Sequence, residues 1–240
     1  MTIGSARGTR LLLTCDHGGN RIPGEYAALF RGGARALASH RGWDPGALLV
    51  ARALARRLEV PLLAVTWSRL LVEPNRAPTN PRMWSRYTAG LSREEKQRIL
   101  EHYWWPHRRQ VEASVRSAVA AGVRVLHVAV HSFTPTLDGE VRNADVGLLY
   151  ASKRPREARA CRRWQAELRR IDPALRVRRN YPYRGEADGL PTWLRRRFPD
   201  RHYAGVELEL NQALMDDRRH AVARTLARSL EALLGSGTRT

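Results

Sequence analysis

The chain has 240 residues, 43% hydrophobic and 27% charged. That balance supports a buried core and excludes an intrinsically disordered protein. No run approaches the roughly 18 apolar residues of a membrane span. Met1–Arg7 carries no apolar stretch of the kind a secretion signal needs, and two cysteines, Cys15 and Cys161, are too few for a disulfide framework or a Cys-rich zinc module. One cytoplasmic domain over residues 1–240, with no membrane partner, is expected. The net charge of +19 invites a nucleic-acid partner. However, only Lys96 and Lys153 are lysines, and the arginines are dispersed in pairs such as Arg56-Arg57, Arg108-Arg109 and Arg162-Arg163. Solvated helix faces and a field that attracts a small anionic substrate are the simpler expectation.

Apolar runs alternate with helical stretches. Arg10–Cys15 is apolar and meets Gly18-Gly19, the pattern of a strand entering a loop. Pro45 to Leu58 has helical spacing, with Pro45 suited to the first turn and Asp44 to the N-cap. Val60 to Thr66 predicts a second strand. A helix is predicted from Ser92, with Glu95 completing a capping-box pattern, to Ala121. Val123 to His131 is the clearest strand, and Val146 to Tyr150 another. Helix is predicted for Arg154 to Arg170, a short strand for Leu175 to Arg179 and helix for Gly189 to Arg197. Tyr203 to Leu210 predicts a strand, Met215 to Leu234 an amphipathic helix, and residues 235–240 a frayed tail. Strands separated by helices define an α/β domain, here with a mostly parallel mixed sheet flanked by helices.

Ligands of open α/β sheets gather beyond the carboxyl ends of strands. That rule selects Asp16 and His17 after the first strand, His131 and Ser132 at the end of the central strand, and Glu207 and Glu209 near the end of the last. Two histidines and a carboxylate suffice for a catalytic zinc with one position left for water. Equally, each histidine could serve only to tie down a loop. Glu207 and Glu209 alternate with Val206, Leu208 and Leu210 and share one face. A carboxylate there is a base beside metal-bound water, the partner of an arginine, or part of a wet edge. Asn75 and Arg76 could grip a substrate carboxylate or form a backbone turn. Asp44 is an N-cap, a metal ligand or the orienting partner of a ligating histidine. Cys15 reads as a small packed residue.

In order, these clusters resemble the N-formylglutamate amidohydrolase family over roughly Leu11 to Leu214. The matching blocks are Cys15–Pro23, His40–Ala47 with Trp43-Asp44-Pro45-Gly46-Ala47, and Ser68–Arg76 ending in Asn75-Arg76. Tyr103-Trp104-Trp105-Pro106-His107, His131–Pro135 and Gly205–Gln212 follow. The resemblance implies a zinc-carboxypeptidase-like (phosphorylase/hydrolase-like) fold and hydrolysis of an N-formyl or related N-acyl amide of an acidic amino acid. It makes His17 and His131 ligands of one zinc ion. Asn75 and Arg76 become the grip on the substrate carboxylate, and Glu209 the base that activates water. For the third ligand, Asp44 is preferred over Glu25 and His40, because Asn20 stands where carboxypeptidases have a ligating glutamate. Arg69 or Arg184 is expected to stabilise the oxyanion. The expected partner is a small anionic N-acyl amino acid. Rival readings are a peptidase or deacylase acting on another amide, and a basic nucleic-acid-binding protein using Tyr103, Trp104 and Trp105 as stacking surfaces.

Overall fold

The computed structural model describes residues 8–215 and 218–235. Its strands are β1 (Thr9–Cys15), β2 (Leu62–Ala64), β3 (Arg124–Phe133), β4 (Thr136–Leu137), β5 (Glu140–Val141), β6 (Val146–Leu149), β7 (Val177–Arg179) and β8 (Tyr203–Asn211). Its α-helices are α1 (Ala34–Ala38), α2 (Ala47–Leu58), α3 (Arg93–Ile99), α4 (Trp105–Ala120), α5 (Pro155–Ile171), α6 (Leu190–Arg195) and α7 (Arg219–Gly235). Short 3-10 turns span Gly24–Phe30 and Gln212–Leu214. Six strands form one mixed sheet in the order β2-β1-β3-β8-β6-β7. The first four are mutually parallel, and β6 and β7 run the other way.

Side-chain alternation divides the sheet between two cores. Leu11, Leu13, Leu126, Val128, Val130, Val206 and Leu208 face α2, α5 and α7. Leu12, Val125 and Tyr203 face α4 and α6. A third cluster gathers Tyr26, Phe30, Leu71, Val72, Met83, Ile99 and Trp104 beneath the long loops between β2 and α4. The expected α/β architecture with a mostly parallel sheet is what forms. Within the described residues, no helix is long and apolar enough to cross a membrane.

Several boundaries differ from expectation for local reasons. The helix predicted from Pro45 starts at Ala47, its N-cap is Gly46 in the left-handed region (φ 81°), and Asp44 caps nothing with its side chain. The strand predicted over Val60 to Thr66 shortens to β2. The helix predicted over Ser92 to Ala121 keeps its Ser92 cap, with Ser92 Oγ accepting from Glu95 N at 3.1 Å. It is interrupted by a π-helical turn over Leu100–Trp104 just before Pro106. Proline lacks an amide hydrogen and crowds the carbonyl four residues back, so the ladder widens there. β3 runs to Phe133, two residues beyond the prediction. The β4–β5 hairpin was not predicted, although Asp138-Gly139, with φ of 50° and 83°, is a pair suited to a tight hairpin turn. The last helix begins at Arg219 rather than Met215. Of the predicted frayed tail, Gly235 ends α7 and residues 236–240 lie outside the described residues. Most paired arginines are exposed as expected, but Arg108 is completely buried.

Candidate metal and hydrolytic centre

The first strand delivers His17. β1 ends at Cys15, and the chain then passes tightly against the loop after β2. A Cβ at Gly19 would lie 2.4 Å from Thr66 O, so only glycine lets the turn close. Cys15 itself is buried in the core, as expected for a packed residue. His17 is buried, and its backbone carbonyl accepts from Asp44 N at 3.0 Å. That bond brings the 40–47 loop onto the end of β1.

The central strand delivers His131. Its Nδ1 lies 3.0 Å from Asp44 Oδ2, and His17 Nδ1 lies 3.3 Å from the same oxygen. Ser132 N also donates to that oxygen at 3.3 Å. The two imidazoles meet edge to face with centroids 5.1 Å apart. His17, Asp44 and His131 are all buried, and each offers a ligand atom within 4.8 Å of the others. The group could hold a metal ion: two imidazoles and a carboxylate are a common catalytic zinc set. His131 Nε2 and Glu209 Oε2 are buried without partners, so the neighbourhood is one whose polar capacity the protein does not fill by itself.

The electrostatics point the same way. Burial alone would lower the affinity of both histidines for a proton, yet the carboxylates beside them outweigh it. Asp44 raises the pKa of His131, and Glu73 with Asp44 raises that of His17. Burial opposes ionisation of Asp44 and Glu73, but the neighbouring histidines and Arg69 hold both carboxyls well below the usual range. The pocket thus favours positive charge at its centre. Burial pushes Glu209 up to about 7, against the pull of His131.

Glu73 is a member of this group that the sequence reading passed over as a candidate. Its Oε1 meets His17 Nε2 and accepts from Asn75 N at 3.0 Å, and its Oε2 accepts from Arg69 Nε at 2.7 Å. Such a carboxylate on the far nitrogen fixes the orientation of the imidazole. The available signal was its place as the acid before Asn75-Arg76 in the Ser68–Arg76 block. Arg69 also reaches Asp44 Oδ1 at 3.3 Å.

The remaining expected residues are distributed as follows. Glu209 pairs across the sheet with His131, and Val206, Leu208 and Leu210 point to the opposite face as the alternation required. Glu207 Oε1 accepts from Asn75 Nδ2 at 3.2 Å, and Asn75 Oδ1 accepts from Leu190 N. Arg76 donates to the Asp188 carbonyl. Arg184 is exposed and stands outside the hydrogen-bonded cluster. Glu25 accepts from Tyr103 Oη and His40 is exposed, and neither joins the candidate metal group, whose carboxylate is Asp44. Trp104 is buried, donating to Arg76 O at 3.1 Å, so the stacking surface a nucleic-acid reading needed is not formed there. Arg108 lies between Trp104 and Trp193 and donates to Pro74 O at 2.9 Å, fixing the Asn75–Arg76 loop from below.

Comparison with known proteins gives the chain's relatives. The family model described as N-formylglutamate amidohydrolase matches residues 9–215. The crystal structure of gene product Atu2144 from Agrobacterium tumefaciens superposes with a TM-score of 0.82 at 30% identity, covering 98% of this chain and 93% of that one. The structure of N-formylglutamate amidohydrolase from Ralstonia eutropha JMP134 superposes with a TM-score of 0.69 at 21% identity, covering 96% and 95%, and shows the shared fold. Among curated proteins none matches. With the matched residues carrying the whole His–Asp–His group and Glu209, the chain belongs to the N-formylglutamate amidohydrolase family, hydrolases acting on linear amide bonds.

Proposed function

We propose that the protein is a metal-dependent amidohydrolase that cleaves an N-formyl or related N-acyl amide of an acidic amino acid such as N-formylglutamate. The observation that carries this reading is the buried His17–Asp44–His131 group with the unpartnered Glu209 carboxylate oxygen on the adjacent strand. Zinc is the proposed metal, held by those three residues. When bound it supplies Lewis acidity and lowers the pKa of water.

The protein's own residues do the rest. Glu209 is the base: its raised pKa lets it accept a proton from water and return it to the leaving amine near neutral pH. Glu73 holds His17 in orientation. Arg69, braced by Glu73 and Asp44, is the cation proposed to stabilise developing oxyanion charge. Asn75 and Arg76 tie the 188–190 segment to the site, with Arg76 offering its free N–H groups to a substrate carboxylate. Arg184, on the same loop, is a further candidate for that anion.

The test is the metal content of purified protein together with hydrolysis of N-formyl-L-glutamate followed by release of formate. About one zinc per chain with formate release is the expected result. Metal binding without formate release, but with turnover of a longer acyl or peptide amide, would move the substrate to the deacylase or peptidase class.

A further inference from the structure

Two loops form a wall beside Glu209. Gly147 of β6 is the cross-strand neighbour of Glu209. A Cβ at Gly147 would lie 2.1 Å from Tyr181 O and 3.2 Å from Glu209 Cβ. The absent side chain therefore lets the 180–185 loop cross the sheet directly beside the proposed base. Asn180 pins that loop, its Oδ1 accepting from Tyr150 N at 2.9 Å and Gly185 N at 3.3 Å. The loop then carries Tyr183, whose hydroxyl is within electrostatic reach of both Glu209 and Asp44.

The second loop follows the β4–β5 hairpin. Arg142 Nη1 donates to Tyr183 Oη at 2.9 Å, and Asn143 N donates to Tyr181 Oη at 2.9 Å. The Arg142 guanidinium lies 5.0 Å from the Tyr183 ring and 5.8 Å from the Phe133 ring. Phe133 is two residues beyond His131 on β3, so both side chains leave the same face of the sheet. Arg142 is thus set against two aromatic rings, one of them on the strand that carries His131. Arg69, Arg108 and Arg142 differ in their engagements. Arg69 is paired with Glu73 and Asp44, and Arg108 is buried between tryptophans. The interactions of Arg142 are with the Tyr183 hydroxyl and the two rings, and among the described residues no Asp or Glu pairs with it.

We propose that Arg142, braced by Tyr183 and Phe133, binds the second carboxylate of a dicarboxylic N-acyl amino acid and so sets a preference for acidic over neutral substrates. The inference rests on the amidohydrolase reading above. A dianionic substrate is then held by both carboxylates of its amino-acid half, one at the Asn75–Arg76 side and the other at Arg142, and the N-acyl amide that branches from its α-carbon is presented to the His17–Asp44–His131 group. A guanidinium already oriented by ring stacking and one hydrogen bond loses little freedom on binding a carboxylate.

The test uses zinc-loaded full-length protein and two isosteric substrates, N-formyl-L-glutamate and N-formyl-L-glutamine, with wild type, Arg142→Ala and Tyr183→Phe. In Arg142→Ala the KM for the glutamate substrate should rise about 10- to 100-fold, the worth of a charge-assisted hydrogen bond, and that for the glutamine substrate less than about threefold. Tyr183→Phe should move the same ratio in the same direction by a smaller factor. Equal changes for both substrates, or none, would overturn the assignment while leaving the amidohydrolase reading intact. If wild type hydrolyses neither, calorimetric titration with glutamate and glutamine separates the two ideas. Tighter glutamate binding that is lost in Arg142→Ala keeps the anion site and removes the reaction, and no such difference removes both.

Discussion

His131 and Glu209 are register partners across the parallel β3–β8 pair, one on each of the two central strands of the sheet. Their side chains emerge on the same face, and burial raises Glu209 to about 7. The proposed base is placed beside the candidate metal group by strand pairing, with no loop between them. Replacing the carboxylate with its amide isostere removes the proton acceptor and preserves shape. Glu209→Gln should therefore retain the metal and lower kcat by about 10²- to 10⁴-fold. Steady-state kinetics beside metal analysis checks this, and wild-type turnover in the variant would sink the assignment.

Asp44 Oδ2 receives both histidines and the Ser132 amide, so this one oxygen organises the group. His17→Ala, His131→Ala and Asp44→Ala should each lose bound metal. Glu73→Gln should retain it with about 10- to 100-fold weaker affinity, because Glu73 acts through His17. Competition with a chromophoric chelator measures the order. Equal losses in all four variants would place Glu73 among the ligands.

His127 lies on the same strand, buried between Thr14 Oγ1 at 2.9 Å and Tyr203 Oη at 2.7 Å. Burial depresses its pKa to about 3. Between that value and the ordinary histidine pKa near 6.5, the unfolded chain binds a proton that the folded chain does not. Stability therefore falls as pH drops through this window, by about 1.4 kcal/mol per pH unit from this group alone. Urea unfolding from pH 6.5 to 4 should show the slope, and His127→Gln should flatten it. An unchanged slope in that variant would assign the acid sensitivity to other groups.

Gly147→Ala places a methyl group against the Tyr181 carbonyl. The backbone there cannot yield without moving the 180–185 loop, so the expected cost is about 1–3 kcal/mol of stability. Turnover should fall too, because the same loop carries Tyr183. Denaturant midpoints and kinetics of this single variant check both effects, and a neutral substitution would mean the loop is free to shift.

Much of the candidate site was legible because its residues sit where strands end. His17, His131 and Glu209 follow from apolar runs whose carboxyl ends converge in any open parallel sheet, and the choice of Asp44 rested on its place in a motif. Glu73 was missed because its place in the Ser68–Arg76 block names no partner, and only folding turns one of its oxygens to His17 and the other to Arg69. Arg108 reads as one of many solvated arginines on a helix, and the widened turn before Pro106 accompanies its burial between two tryptophans.

The sequence by itself determined the alternation of strands and helices, the two-faced pattern of β8 and the presence of histidines and acids at strand ends, because those depend on local periodicity and turn chemistry. Tertiary structure decided among Asp44, Glu25 and His40 as the residue that joins the histidines, and it alone decided that β6 and β7 run against the other four strands and that Arg142 and Tyr183 meet beside Glu209. Those outcomes depend on contacts between segments far apart in the chain: Asp44 and His131 are separated by 87 residues and share one hydrogen-bonded oxygen.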